Sequence, residues 1–398
     1  MSAPLRVLFL TDSLSDLDGV GRYAVELIRA LERLEPGLGV HVLLARKHRP
    51  TSSAVPPHWR VEVALPPDYF FHMPRARFWP ALIAASWRVR RAARSVDLVH
   101  AIKDYPHSLV GVLGARSAGV PCVATAHGTY AVQPLVDARH RRLARWAWRH
   151  YAAVIAVSGY TARRIAEALG ADLDPARLHV IPNAVTAELP AARPAPPLQG
   201  GPRPWHGVPF TLGIGELKER KGHHIAVAAW ASVARARPDL HHFVVGKASD
   251  EEYQRGLVEL ARRQGVAERL HFLGNVSEDE KHDLLQRARV FVHTPVTASG
   301  GGFEGFGIVY LGAAAAGLPS IGTLESGAED AVIDDESGVL VPPRVETVAA
   351  ALERLLDDEP LRARLASAAR AHAAQATWEA NARRVLALYR EVLARTPA

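Results

Sequence analysis

Short apolar runs alternate along this chain with longer stretches whose apolar side chains recur every three to four residues. The first two runs, Arg6–Leu10 (RVLFL) and Val40–Leu44 (VHVLL), flank an amphipathic stretch over Tyr23–Leu34. Apolar runs of about five residues read as strands buried on both faces, and the longer period between them as a covering helix. Strand, helix, strand is the repeating unit of a parallel sheet. The alternation continues through Leu98–Ala101, a helix over Ser108–Ala118, Cys122–Ala126, a basic helix over Asp137–Tyr151, a strand in Tyr151–Val157, a helix over Thr161–Leu169, and Leu178–Ile181. From 189 to 209 the chain reads LPAARPAPPLQGGPRPWHGVP, whose prolines and glycines support neither period.

A second series then begins. It runs through Phe210–Gly215, a helix over His223–Ala236, His242–Gly246, a helix over Glu251–Gln264, Leu270–Leu273, a helix over Glu278–Ala288, and Val290–His293. Residues 346–393 are helical in composition with one break near Pro360. The pattern predicts an α/β protein of two Rossmann-like domains with doubly wound parallel sheets, one over residues 1–190 and one over 210–376. A linker spans 191–209, and a terminal helix 377–398.

Composition agrees with two full cores. The chain has 398 residues, 48% of them apolar and 22% charged, which is longer than one core supports and far from the make-up of a disordered chain. Cys122 is the single cysteine, so neither a disulfide framework nor a cysteine metal site is open to it. The apolar run behind Arg6 is too short for a signal peptide, and no stretch of about 18 apolar residues occurs. A cytoplasmic protein without a membrane span is the expectation.

The net charge of +7 is unevenly placed. Residues 1–190 carry 24 Lys and Arg against 15 Asp and Glu, and the rest of the chain carries 24 against 26. Two segments, residues 78–94 (FWPALIAASWRVRRAAR) and 137–151 (DARHRRLARWAWRHY), interleave tryptophan with arginine. Such helices lie on anionic membrane surfaces; the alternative is a solvated helix whose tryptophans pack inward. No nucleic-acid-binding module accompanies the basic charge, so nucleic acid is not an expected partner.

Gly19, Gly21 and Ala24 have the form GxGxxA, but Gly19 lies well past the end of the first strand run at Leu10, where a dinucleotide fingerprint needs its first glycine directly after the strand. The second strand also leads into Ala45, Arg46 and Lys47 without an acidic residue for a ribose. Asp16 and Asp18 form a DxD of the kind that holds a divalent metal, yet Asp172 and Asp174 form another, so the pattern carries little weight. His223, His224, His241, His242 and His271 lack ligand spacing on one helix face. The informative stretch is Gly300–Pro319, GGGFEGFGIVYLGAAAAGLP. Its glycines let backbone approach a ligand closely, and a helix begins near Gly307 and stops at Gly317. The free amides and dipole of that helix start can hold a diphosphate.

This stretch resembles the donor-site signature of the family 4 retaining glycosyltransferases, whose GT-B architecture sets two Rossmann-like domains facing each other. The resemblance runs nearly end to end. It includes DGVGRYAVEL, TAHGTY (125–130), VIAVSGYTARRI (154–165), VIPNAV (180–185), GELKERKG (215–222), FLGNVSEDE (272–280), EGFGIVYLGAAAAGLPSIGT (304–323) and SGVLVPP (337–343). It implies that residues 378–393 cross back onto the first domain.

The resemblance implies roles residue by residue. Glu304 would hydrogen-bond hydroxyls of the donor sugar, and Gly305, Phe306, Gly307 and Ile308 would offer backbone amides to sugar and phosphate. Lys221 would neutralise the leaving diphosphate. His127 would reach the sugar from the first domain, Gly19 and Gly21 would line the cleft near phosphate and acceptor, and the Val276 backbone would lie near the base. Where the family commonly has an arginine this chain has Glu216, with Lys218 and Arg220 as candidate substitutes. The second glutamate of the family's pair, expected to hold the ribose, is Gly312 here.

The expected activity is therefore a retaining, metal-independent transfer from a nucleotide-diphosphate sugar, without cofactor, to a glycan, glycolipid or lipid-linked acceptor. Same-face attack and a covalent intermediate both remain open. Rival readings are a non-catalytic homologue that binds a sugar nucleotide or a partner enzyme, and a membrane scaffold using the basic helices.

Overall fold

A computed structural model of the chain describes residues 4–15, 18–45, 55–67, 72–185 and 203–396. They form two compact units, Met1–Asn183 with Trp378–Ala398, and Ala184–Thr377.

The first unit runs β1 (Arg6–Thr11), α1 (Gly19–Leu34), β2 (Gly39–Ala45), β3 (Arg60–Leu65), α2 (Arg75–Ala93), β4 (Leu98–Ala101), α3 (His107–Ala118), β5 (Cys122–Ala126), α4 (Thr129–Val136), α5 (Arg141–Trp148), β6 (Ala153–Ala156), α6 (Gly159–Leu169) and β7 (Leu178–Val180). Its seven strands are all parallel in the order β3-β2-β1-β4-β5-β6-β7. The order reverses between β1 and β4, which opens a crevice at their carboxyl ends. β1, β4, β5 and β6 are buried nearly throughout, as their continuous apolar runs require.

The second unit runs β8 (Phe210–Ile214), α7 (His223–Ala234), β9 (His241–Val245), α8 (Glu251–Arg263), β10 (Leu270–Gly274), α9 (Glu278–Arg287), β11 (Val290–Val292), α10 (Ile308–Ala315), β12 (Ser320–Thr323), α11 (Ala328–Ala331), β13 (Gly338–Val341), α12 (Val345–Asp357) and α13 (Glu359–Gln375). Its sheet is parallel in the order β10-β9-β8-β11-β12-β13, with the same reversal between β8 and β11. Trp230 on α7 is fully buried in a core formed with Val244, Val290, Leu352 and Leu355. The final helix, α14 (Trp378–Arg395), belongs to the first unit and packs on α1. Tyr389 of α14 shares a 2.5 Å hydrogen bond with His100 of β4.

Several sequence expectations are corrected. The basic helix expected over 137–151 is shorter, α5 alone, because the Asp137 carboxylate accepts from the backbone N–H groups of Arg139 and His140 and turns the chain between α4 and α5. Residues 203–209 are no linker: Trp205 is buried, and its indole N–H donates to Asp283 at 2.7 Å, beside His206 at 2.9 Å from the same oxygen. The rest of the expected linker lies outside the described residues. Val185 donates to the carbonyl of Ala376 and so joins the second unit, which places the boundary at 183/184 rather than 190. The terminal helical region is broken twice, at Asp358, which caps α13 ahead of Pro360, and at Ala376–Thr377. Among the described residues no helix is long and apolar enough to cross a membrane.

Candidate functional site

In the second unit the chain leaves β8 through Gly215–Lys218, makes a tight turn over Glu219–Lys221, and enters α7 through Gly222. Gly222 has φ of 68°, and a side chain there would run into the carbonyl of Thr294 at the end of β11. Glycine is therefore required, and it brings the two central strand ends together. Lys221 directs its ammonium onto the Glu304 carboxylate, and the Arg220 guanidinium reaches the same oxygen at 3.1 Å. His293, fully buried at the end of β11, lies 4.0 Å from that oxygen. Both cations engage Oε2, so Glu304 Oε1 carries no hydrogen bond among the described residues.

Burial alone would raise the Glu304 carboxyl, but Lys221 and Arg220 outweigh it and hold it at about 2. Burial pulls the Lys221 ammonium below its ordinary value against the attraction of Glu304, and burial keeps His293 well below the usual imidazole range. Glu304 is thus ionised, His293 neutral, and the cations are held in a poorly solvated place.

The Glu304 loop is fixed by two buried anchors, Phe303 and Phe306. Gly327 packs so closely behind Gly305 that any side chain would strike its backbone, and its N–H donates to the Glu304 carbonyl at 2.9 Å. Gly307, at φ 82°, precedes α10 without a side-chain cap, which leaves the first amides of that helix available. Glu304, Gly305, Phe306, Gly307 and Ile308 are therefore gathered with Lys221 and Arg220 at the switch point of this sheet.

Two expected residues are not. Lys218 is 2.9 Å from Glu216 and largely exposed, so of the two candidate substitutes for the family's arginine only Arg220 faces Glu304. Val276 follows β10, the edge strand, two strands away from β8. Gly312 is the fifth residue of α10, where a side chain would meet open space. Glu304 itself precedes that helix.

In the first unit His127 follows β5. Its Nε2–H donates to the carbonyl of Ile102 at 2.9 Å, and its ring meets Tyr23 edge-on. Burial, assisted by Lys103, lowers His127 to about 4, so the ring is neutral with Nδ1 unprotonated. Gly21 packs against the backbone of Ser15, where a side chain would collide, whereas Gly19 faces open space. Asp18 caps α1 by accepting from Gly21 N–H and also takes the Ser13 hydroxyl, so it is engaged within the fold. Asp16 lies outside the described residues.

Sequence reasoning missed a buried cluster at this switch point. Lys103, after β4, is 2.7 Å from Asp12, after β1, and the Asp104 carboxylate accepts from the His127 backbone N–H. Burial raises Asp104 to about 6. Only the topology brings these residues together; no local pattern announces them. His293 was missed for the same reason. Among the described residues no group of three or more His, Cys, Asp or Glu has metal-binding geometry.

The second of two parallel doubly wound sheets thus has, at its switch point, a buried cation–carboxylate cluster and an uncapped helix start, the place where α/β folds hold anionic ligands. Sequence profiles of known families carry the assignment further. The profile described as Glycosyltransferase Family 4 matches residues 17–189, and that of Glycosyl transferases group 1 matches 204–372. The chain is 31% identical over 303 residues to glycogen synthase of Mycobacterium tuberculosis, covering 73% of this chain and 68% of that enzyme. It is 29% identical over 333 residues to phosphatidyl-myo-inositol mannosyltransferase of Mycolicibacterium smegmatis, covering 83% and 80%. HepE of Anabaena, crystallised with UDP-glucose, superposes with a TM-score of 0.75 at 21% identity over 97% of this chain and all of that one. Sucrose-phosphate synthase of Thermosynechococcus elongatus gives 0.76, also at 21%, over 98% and 99%. The chain belongs to glycosyltransferase family 4 and has the two-domain GT-B architecture.

Proposed function

We propose that the protein moves a sugar from a nucleoside-diphosphate sugar to a glycan, glycolipid or lipid-linked acceptor, in the cytoplasm, with retention of configuration and without a metal or other cofactor. The observation that carries this reading is the Lys221–Arg220–Glu304 cluster beside the start of α10. When the glycosidic bond breaks, the departing diphosphate gains negative charge. Lys221 and Arg220 would meet that charge in a poorly solvated place, where fixed cations act most strongly and need no reorganisation. Two fixed cations would supply there the positive charge that a divalent ion supplies in metal-dependent transfer. Glu304 holds the cations through Oε2 and leaves Oε1 for a hydroxyl of the donor sugar. The family resemblance assigns His127 to the sugar, and a neutral ring suits hydrogen bonding there better than a charged one.

The relatives' names bear on the donor. One mannosyltransferase of Mycolicibacterium smegmatis, 30% identical over 283 residues, is GDP-mannose-dependent, and HepE was crystallised with UDP-glucose. A non-catalytic homologue is disfavoured by the cost of the cluster itself: burying one carboxylate with two cations seldom improves on apolar packing for stability. Lys221→Ala and Glu304→Ala are each expected to lower turnover about 100-fold or more, the scale of one preorganised electrostatic group, without loss of fold. Turnover assays with UDP-, GDP-, ADP- and dTDP-sugars test this, and wild-type rates in both variants would refute the site.

A further inference from the structure

The first unit carries an exposed tryptophan strip on α2. Phe78, Leu82, Ala85, Val89 and Ala93 turn inward. Trp79, Ile83 and Trp87, four residues apart, turn outward and are 46%, 67% and 57% exposed. Of the eight large apolar side chains exposed among the described residues, these three fall on one strip of one helix. A strip of this kind on a folded surface marks an interaction site.

Its surroundings decide the partner. Residues 75–94 contain six arginines and no acidic residue. Arg88 and Arg90 donate to the carbonyls of Ala64 and Ser117. The side chains of Arg75, Arg77, Arg91 and Arg94 make no hydrogen bond or ion pair among the described residues, and they lie at the two ends of the strip. A second copy docked symmetrically would set arginines against arginines, since a twofold contact repeats the same patch on both sides. An anionic lipid surface has no such problem: it accepts the indole rings at headgroup depth and attracts the flanking cations.

The other basic segment is differently used. In residues 137–151 Arg145 donates to the carbonyls of Leu169 and Ala168 and pairs with Asp172, Arg149 pairs with the same carboxylate, and Arg139 donates to the carbonyl of Met73. Trp146 stacks on His150. Those arginines hold the fold together, and of the two segments given the membrane expectation, 78–94 and 137–151, it is kept for the first, in α2.

We propose that α2 is a membrane-docking element that lies in the interface of an anionic bilayer with Trp79, Ile83 and Trp87 inserted among the headgroups. Nothing in this depends on sugar transfer, so it is tested without an activity assay. The full chain is cosedimented with vesicles of phosphatidylcholine alone and of phosphatidylcholine mixed with phosphatidylglycerol, at low and high salt. Binding to the mixed vesicles is expected to exceed binding to the neutral ones by about tenfold or more, and to weaken with salt. The double variant Trp79→Ser, Trp87→Ser should lose about tenfold or more while melting normally. Arg141→Glu with Arg142→Glu on α5 should leave binding close to wild type. Equal or absent binding to both vesicles, or unchanged binding by the tryptophan variant, would overturn the proposal. So would a lipid-free dimer, seen by ultracentrifugation, that the tryptophan variant dissolves.

Discussion

Lys221 and Glu304 are 83 residues apart in sequence and meet because each follows a central strand at the point where strand order reverses. Their separate motifs were legible in the chain, since the glycines that force the backbone into position leave a local mark: GELKERKG on one side and EGFG on the other. Their contact was not legible, and neither were His293, Asp12, Lys103 and Asp104, which topology alone assembles. Gly312 stands where the family resemblance implies a glutamate, and its Cβ direction is open space. A β-carbon is therefore accommodated there without a clash. If position 312 faces the ribose as the family implies, Gly312→Glu should tighten binding of a ribonucleoside diphosphate by about 1.5 to 3 kcal/mol, the worth of hydrogen bonds to a charged group. Calorimetry on both proteins checks this, and unchanged or weaker affinity would mean that the ribose is met by other groups.

At the scale of elements, α14 completes the first unit. Trp378, Ala382, Val385, Leu386 and Tyr389 are buried in it, Asn381 donates to the carbonyl of Pro182, and Trp378 meets Tyr23 edge-on. His100 is wholly buried and bonded on both ring nitrogens, by Tyr389 and Thr125, and burial holds it at about 3. Tyr389→Phe would leave one of those nitrogens without a partner, at a cost of about 1 to 3 kcal/mol. Chemical denaturation should show that loss; a change below about 0.5 kcal/mol would place the variant among ordinary surface substitutions and argue against the contact. Elements with continuous apolar runs were predicted almost to the residue, β4 and β5 among them. β3 left no such run because it is a half-exposed edge strand, reading RVEVAL. β12 and β13 are four-residue strands containing glycine, too short for a periodic signal. The basic helix was expected to begin too early because Arg139 and His140, in line with the arginines of α5, belong to the turn that Asp137 makes.

For the whole molecule, the alternation of runs predicted two doubly wound sheets, and both are present with the same reversal of strand order at their centres. The boundaries were misplaced because short hydrogen-bonded contacts set them. Val185 joins the second unit by pairing with Ala376, and Trp205 joins it through Asp283, while the sequence there reads only as proline-rich. The central claim is that the second unit holds the diphosphate of a nucleotide sugar on Lys221 and Arg220 beside α10. Titration calorimetry of the intact protein with UDP, GDP, ADP and dTDP, on wild type and on Lys221→Ala, tests it most directly. One nucleoside diphosphate should bind the wild type, and Lys221→Ala should weaken it about tenfold or more, the loss of one charge-assisted hydrogen bond. No binding by any of the four, or equal binding by Lys221→Ala, would contradict the account.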